Sequence, residues 1–205
     1  MIGLLSSRDR EVQALLKPFI TEKAHLYRKK ESLFRQMKLI GSLLIILTST
    51  AIGRMYAKRY RDRPRQLRQL RSALQVLETE ITYSLRPIGE VAAKLVHQIP
   101  KPVNQFFKLL TDELEKGLTL QEAWKEAVGE FWPNTALKKN EQDILLQFGV
   151  TLGQSDRENQ EKQIHLALTH LEREESEARE AQATYEKLWN TMGFLAGLLI
   201  VLLLI

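Results

Sequence analysis

The side chains that could do chemistry are few, and their spacing is wrong for it. Of four histidines, His165 and His170 lie five residues apart, which on a helix turns them about 140° from each other. They cannot share a metal as an i, i+4 pair would. His97 reads as a surface or cap residue. Glu172, Glu174, Glu175 and Glu177 form an acidic cluster that a divalent cation could use, but such a run on a long helix is ordinarily a solvated face. Serines and carboxylates occur without a nucleophile, base and orienter at arguable spacing. There is no cysteine, which excludes disulfide scaffolds, thiol catalysis and cysteine metal sites. No Walker A sequence is present, and Gly149 and Gly153 fit close helix packing better than a phosphate loop, which needs more glycine and a preceding strand. The expectation is no catalytic residue, no cofactor and no metal, hence no enzyme.

The elements that carry these residues are helices throughout. In 65–85, Leu67, Leu70, Leu74, Leu77, Ile81 and Ser84 form one apolar stripe at three-and-four spacing, and Pro64 suits the first turn. A break at Ser84 and Pro87 precedes a shorter helix with Ile88, Val91, Ala92, Leu95 and Val96 on one side. Pro100 and Pro102 end it. A third helix over 103–116 buries Phe106, Phe107, Leu110 and Leu114, with Gly117 at the left-handed cap. Thr119-Leu-Gln-Glu122 fits a capping box, after which Ala123, Trp124, Ala127 and Val128 face inward. That helix stops before Pro133. A fifth begins near Asn140 and carries Ile144, Leu145, Phe148 and Leu152. Ser155-Asp-Arg-Glu158 caps a sixth, free of glycine and proline from 157 to 192, with a seam of Ile164, Leu168, Leu171, Ala178, Tyr185 and Leu188.

Two apolar runs flank this set. The last eighteen residues, 188–205, carry no charge, and about that many span a ~30 Å hydrocarbon core at roughly 1.5 Å per residue. The alternative, a buried core helix, would need cover on every side. Residues 39–53, extended by Met55, Tyr56 and Ala57, form a second, shorter candidate with Lys38 and Arg54 able to snorkel. A secretory signal is its rival. Against export stand Arg54, Lys58, Arg59, Arg61, Arg63, Arg65, Arg68 and Arg71, opposed only by Asp62, a cluster that holds its side in the cytoplasm.

Charge distribution also excludes nucleic acid as a partner. The net charge is +5, yet 72–187 holds thirteen cations against twenty carboxylates, which would repel a phosphate backbone. The basic excess hugs the membrane, where anionic lipids attract it at about 1 kcal/mol per charge. Membrane-surface residues are therefore Arg54, Lys58, Arg59, Arg61, Arg63 and Arg65. Residues 1–36 are basic too, and positive charge on both sides of one span conflicts with the positive-inside tendency. Either translation begins at Met37 and 1–36 is an upstream extension, or the tail is real and the first apolar segment is re-entrant or interfacial. The ordinary start Met37-Lys38 favours the former. The organisation is then an extension (1–36), a span (37–57), a basic juxtamembrane strip (58–71), an all-α cytoplasmic six-helix bundle (64–187) and a C-terminal span (188–205). Its last bundle helix continues toward that span. Gly193 and Gly197, a small-xxx-small pair, are placed for helix packing.

This arrangement resembles the stage III sporulation protein AB family of endospore-forming bacteria over about 37–205. The residues that carry the resemblance are Arg71-Ser-Ala-Leu-Gln-Val-Leu-Glu-Thr-Glu-Ile81, Gly117-Leu-Thr-Leu-Gln-Glu-Ala-Trp124, Phe148-Gly-Val-Thr-Leu-Gly-Gln-Ser-Asp156 and Gly193-Phe-Leu-Ala-Gly-Leu-Leu199. The bundle is also similar to the F-type platform domain of type II secretion and type IV pilus systems, which have more spans and two copies of the domain. The resemblance implies a non-enzymatic platform of the mother-cell membrane, in the channel joining mother cell and forespore. Implied partners are the sporulation ATPase (stage III sporulation protein AA) and other membrane proteins of the same complex; anionic lipids are expected from the basic strip, and the small-xxx-small pair could also bring two copies of the chain together. The surface around Glu113, Glu115, Lys116 and Glu122 is the candidate partner-binding side, the opposite end being occupied by lipid. Two other readings are a general secretion or pilus platform and a membrane-anchored sensor or ligand-binding module.

Overall fold

The computed structural model describes residues 3–81, 86–152 and 157–204, with side chains for residue 30, 34–81, 86–152 and 159–204. All regular elements among them are helical: α1 (Gly3–Thr79), α2 (Ile88–Gln98), α3 (Asn104–Glu115), α4 (Leu120–Phe131), a 3₁₀ turn (Trp132–Asn134), α5 (Lys139–Thr151) and α6 (Arg157–Leu204). The chain divides into two compact units, Gly53–Thr191 and a smaller one made of Met1–Ile52 with Met192–Ile205.

The larger unit is built on the expected stripe. Leu67, Leu70, Leu74, Leu77 and Ile81 are buried against Ile164, Leu168 and Leu171 of α6 and the inner faces of the short helices. Each fully buried leucine contributes about 1.5–3 kcal/mol. Trp124 sits at the centre, its ring edge-on to Phe106 (centroids 4.9 Å apart) and Phe148 (5.3 Å). Its indole N–H donates to the Leu145 carbonyl at 2.8 Å, so the ring is anchored as well as packed. Gly149 lies against that ring: a Cβ there would overlap Trp124 Cδ1 and come 2.8 Å from its Nε1. Gly153 and the Ser155–Glu158 cap fall outside the described side chains.

Local signals set the short helices where expected. Thr119 and Glu122 form the capping box, and Gly117, at φ +90°, turns the chain out of α3 as only glycine does without strain. The Gln121 amide donates to the Val150 and Leu152 carbonyls at the end of α5, which otherwise lack helical partners. Two expectations change. Pro64 does not open a helix; it is buried inside α1, which runs unbroken through it. Proline takes away the N–H that Tyr60 would accept from, yet packing of the flanking residues keeps the helix going. On α6, Tyr185 and Leu188 leave the buried seam and are exposed.

In the smaller unit the two apolar segments pack through small residues. Ser49 Oγ donates to the Gly193 carbonyl at 2.6 Å, and a Cβ on Gly197 would lie 3.0 Å from Ile46 Cα. Large side chains point away: Leu39, Leu43, Leu44 and Leu47 on one helix, Leu199, Leu202 and Leu203 on the other, are exposed. A soluble core helix would bury them, so the observed exposure fits hydrocarbon as the solvent. Ser42, Thr48 and Thr50 donate their hydroxyls to carbonyls of the preceding turn, leaving none of these three hydroxyls unsatisfied for lipid to solvate.

Candidate functional site

The main concentration of polar chemistry is a buried ionic seam where α1 meets α5 and α6. Arg63 Nε donates to Glu141 Oε1 at 2.7 Å, and its Nη2 donates to Glu174 Oε2 at 2.8 Å. All three residues are under 10% exposed: Arg63 7%, Glu141 0%, Glu174 2%. The second oxygen of Glu141 accepts the backbone N–H of Lys138, capping the start of α5, where negative charge is favoured. Arg63 is thereby fixed inside the unit and is unavailable to headgroups, contrary to its assignment to the membrane surface. The solvated-face reading of the glutamate run is likewise corrected. Glu172 and Glu177 are exposed, but Glu174 and Glu175 point inward.

Glu175 is the hub of a second cluster. It accepts from Arg68 Nε at 3.2 Å, from Arg71 Nη1 at 2.7 Å and from Arg179. Arg71 also pairs with Glu172 at 3.1 Å. Burial pushes the Glu175 carboxyl up, but the hydrogen bonds from Arg71, Arg179 and Arg68 outweigh it and hold the group below the usual carboxylate range. Arg63, Arg68 and Arg71 of the basic strip thus fasten α1 to α5 and α6. Arg54, Lys58, Arg59, Arg61 and Arg65 remain exposed, with Arg61 3.7 Å from Glu186.

The other predicted residues fall as follows. Lys116 and Glu113 pair with each other on the surface, and the hydrogen bond to Glu113 raises the Lys116 pKa. Glu115 is exposed. Glu122 is committed to the capping box, where hydrogen bonds from Thr119 lower its pKa. His165 is exposed, 3.9 Å from Glu78. Among the described residues no group of three His, Asp or Glu side chains is arranged to hold a metal ion. The seam can hold α1, α5 and α6 in register.

The stage III sporulation protein AB family (spore_III_AB) matches residues 38–205. The chain belongs to this family. Stage III sporulation protein AB of Bacillus subtilis (strain 168) is 46% identical over 169 residues, covering 82% of this chain and 99% of that protein. A solved structure of stage III sporulation protein AB is 44% identical, with a TM-score of 0.58, and covers 60% of this chain and 98% of the other. Membership makes this a sporulation protein with an all-helical fold. The matched region contains the whole ionic seam, both glycines of the small-xxx-small pair and both exposed apolar segments.

Proposed function

We propose that the chain is a non-enzymatic membrane platform of the mother-cell membrane, its helical unit facing the cytoplasm and linking a sporulation ATPase to membrane partners of the same channel complex. The observation that carries this reading is that the two helices bounding the helical unit, α1 and α6, are the same two that bear the exposed apolar segments. Arg54, Lys58, Arg59 and Arg65, which are in no ion pair among the described residues, follow the first segment directly and support a cytoplasmic side for what comes after it. Family membership favours sporulation over a general secretion or pilus system.

The ATPase would meet the acidic side around Glu113 and Glu115, since Glu122 already serves the helix cap. The test is capture of the ATPase, stage III sporulation protein AA, by the full chain carrying Glu113→Lys and Glu115→Lys, with helicity followed by circular dichroism. Capture should drop while helicity holds; undiminished capture would remove this surface from the proposal.

A further inference from the structure

Beside the ionic seam lies a cavity of about 320 Å³ that the seam does not use, within the size range of small-ligand sites. Its wall is made by Tyr56, Arg59 and Tyr60 of α1, the Leu137-Lys138 approach to α5, and Ala181 of α6. Arg63 also lines it. No carboxylate lines the cavity; Glu141 and Glu174 stand behind Arg63 and are engaged by it. Three cations against those two carboxylates leave one net positive charge. Arg59 and Lys138 supply it: both are exposed, and neither is in an ion pair among the described residues. The backbone donors at the rim are already taken, Ala136 by Gln66 and Lys138 by Glu141. Recognition therefore falls to the two free cationic heads and the phenol hydroxyls.

The aromatic wall is held in place. Tyr56 stacks on Trp189, with centroids 4.9 Å apart and planes at 21°, and Tyr60 lies against Tyr185 at 5.4 Å. Tyr56 comes three residues after Gly53, where the first apolar run ends. Tyrosine and tryptophan at such a border sit at headgroup depth. A cationic cavity with hydroxyl donors at that depth suits a group with a compact negative charge and several acceptor oxygens.

We propose that the cavity bounded by Arg59, Lys138, Tyr56 and Tyr60 binds one anionic phosphate group, supplied by an acidic phospholipid headgroup or by a soluble phosphate. The lipid source rests on the membrane reading above; the phosphate chemistry does not. The binding differs from diffuse attraction to the basic strip in being saturable and confined to these residues.

The experiment is native mass spectrometry of the full chain released from a non-ionic detergent, with phosphatidylglycerol or phosphatidylcholine added at equal concentration. One phosphatidylglycerol should be retained per chain in preference to phosphatidylcholine. Arg59→Gln with Lys138→Gln should weaken that retention by at least about tenfold, the scale of losing charged hydrogen-bond partners, whereas Arg54→Gln with Lys58→Gln should leave it intact. Displacement by inorganic phosphate at comparable concentration would identify a soluble phosphate as the ligand; resistance to it would identify the lipid headgroup. Equal retention of both lipids, or equal loss in the two double variants, would overturn the proposal. Flotation of the full chain with phosphatidylcholine vesicles tests the membrane reading separately, because binding in detergent does not depend on it.

Discussion

Replacing Arg63 by methionine tests the seam directly. The substitution nearly conserves length and apolar stem but leaves Glu141 and Glu174, 0% and 2% exposed, without their shared cation. Removing one partner of a buried ion pair costs about 3–5 kcal/mol, because the remaining charge stays desolvated. At roughly 2–4 °C per kcal/mol for a domain of this size, the unfolding midpoint should fall by about 6–20 °C at pH 7. The assay is thermal unfolding of the full chain in detergent, followed by circular dichroism at 222 nm. A further arm separates stranded charge from lost packing. Adding Glu141→Gln and Glu174→Gln to Arg63→Met should recover most of the loss, since none of these three positions then buries a charge and the new amide oxygen at position 141 can still accept the Lys138 N–H. A fall of less than about 2 °C at pH 7 would refute the reasoning and return Arg63 to the membrane surface.

Three other outcomes follow from the packing and charge. Gly149→Ala should destabilise by about 1–3 kcal/mol in the same unfolding assay, because its Cβ meets an anchored Trp124; Gly129→Ala, in open space on α4, should be neutral or stabilising by up to about 1 kcal/mol. In the naturally cysteine-free chain, Ser49→Cys with Gly197→Cys should form an intramolecular disulfide on oxidation in membranes, read as a mobility shift reversed by reductant, since a Cβ at 197 lies 3.1 Å from the Ser49 Cβ; no shift would count against the observed helix pairing. Glu175 is held below its usual pKa, so its contribution is complete above the unfolded glutamate value of about 4.3 and is lost as pH falls through the lower folded value. Unfolding midpoints should therefore decline below about pH 4.3, with a shallower acid slope in Glu175→Gln.

The sequence was most legible where a local rule fixes the backbone. Thr119 and Glu122 mark a helix start by their own hydrogen bonds, Gly117 marks an end by its φ, and Leu67 to Ile81 mark a buried face by period alone. Charge alone hides the seam, whereas position along the helices shows it. Arg63 continues the stripe of Leu67, Leu70 and Leu74; Glu141 continues that of Leu145, Phe148 and Leu152; Glu174 and Glu175 fall between Leu171 and Ala178. A charged residue at a stripe position calls for a partner on another helix, and three helices here each supply one. Pro64 misled for the opposite reason, since a local rule for helix starts was overridden by packing along α1. The cavity had no sequence signal: Arg59 and Lys138 are far apart in the chain and meet only through the tertiary fold.

The central claim, a helical unit on the cytoplasmic side of a two-span membrane protein, is tested most directly by thiol labelling of single cysteines in intact cells. Glu126→Cys, on the exposed face of α4, should resist a membrane-impermeant maleimide until the cells are lysed, while a cysteine appended after Ile205 should be labelled from outside. Labelling of Glu126→Cys in intact cells would place the helical unit outside the cytoplasm and contradict the account.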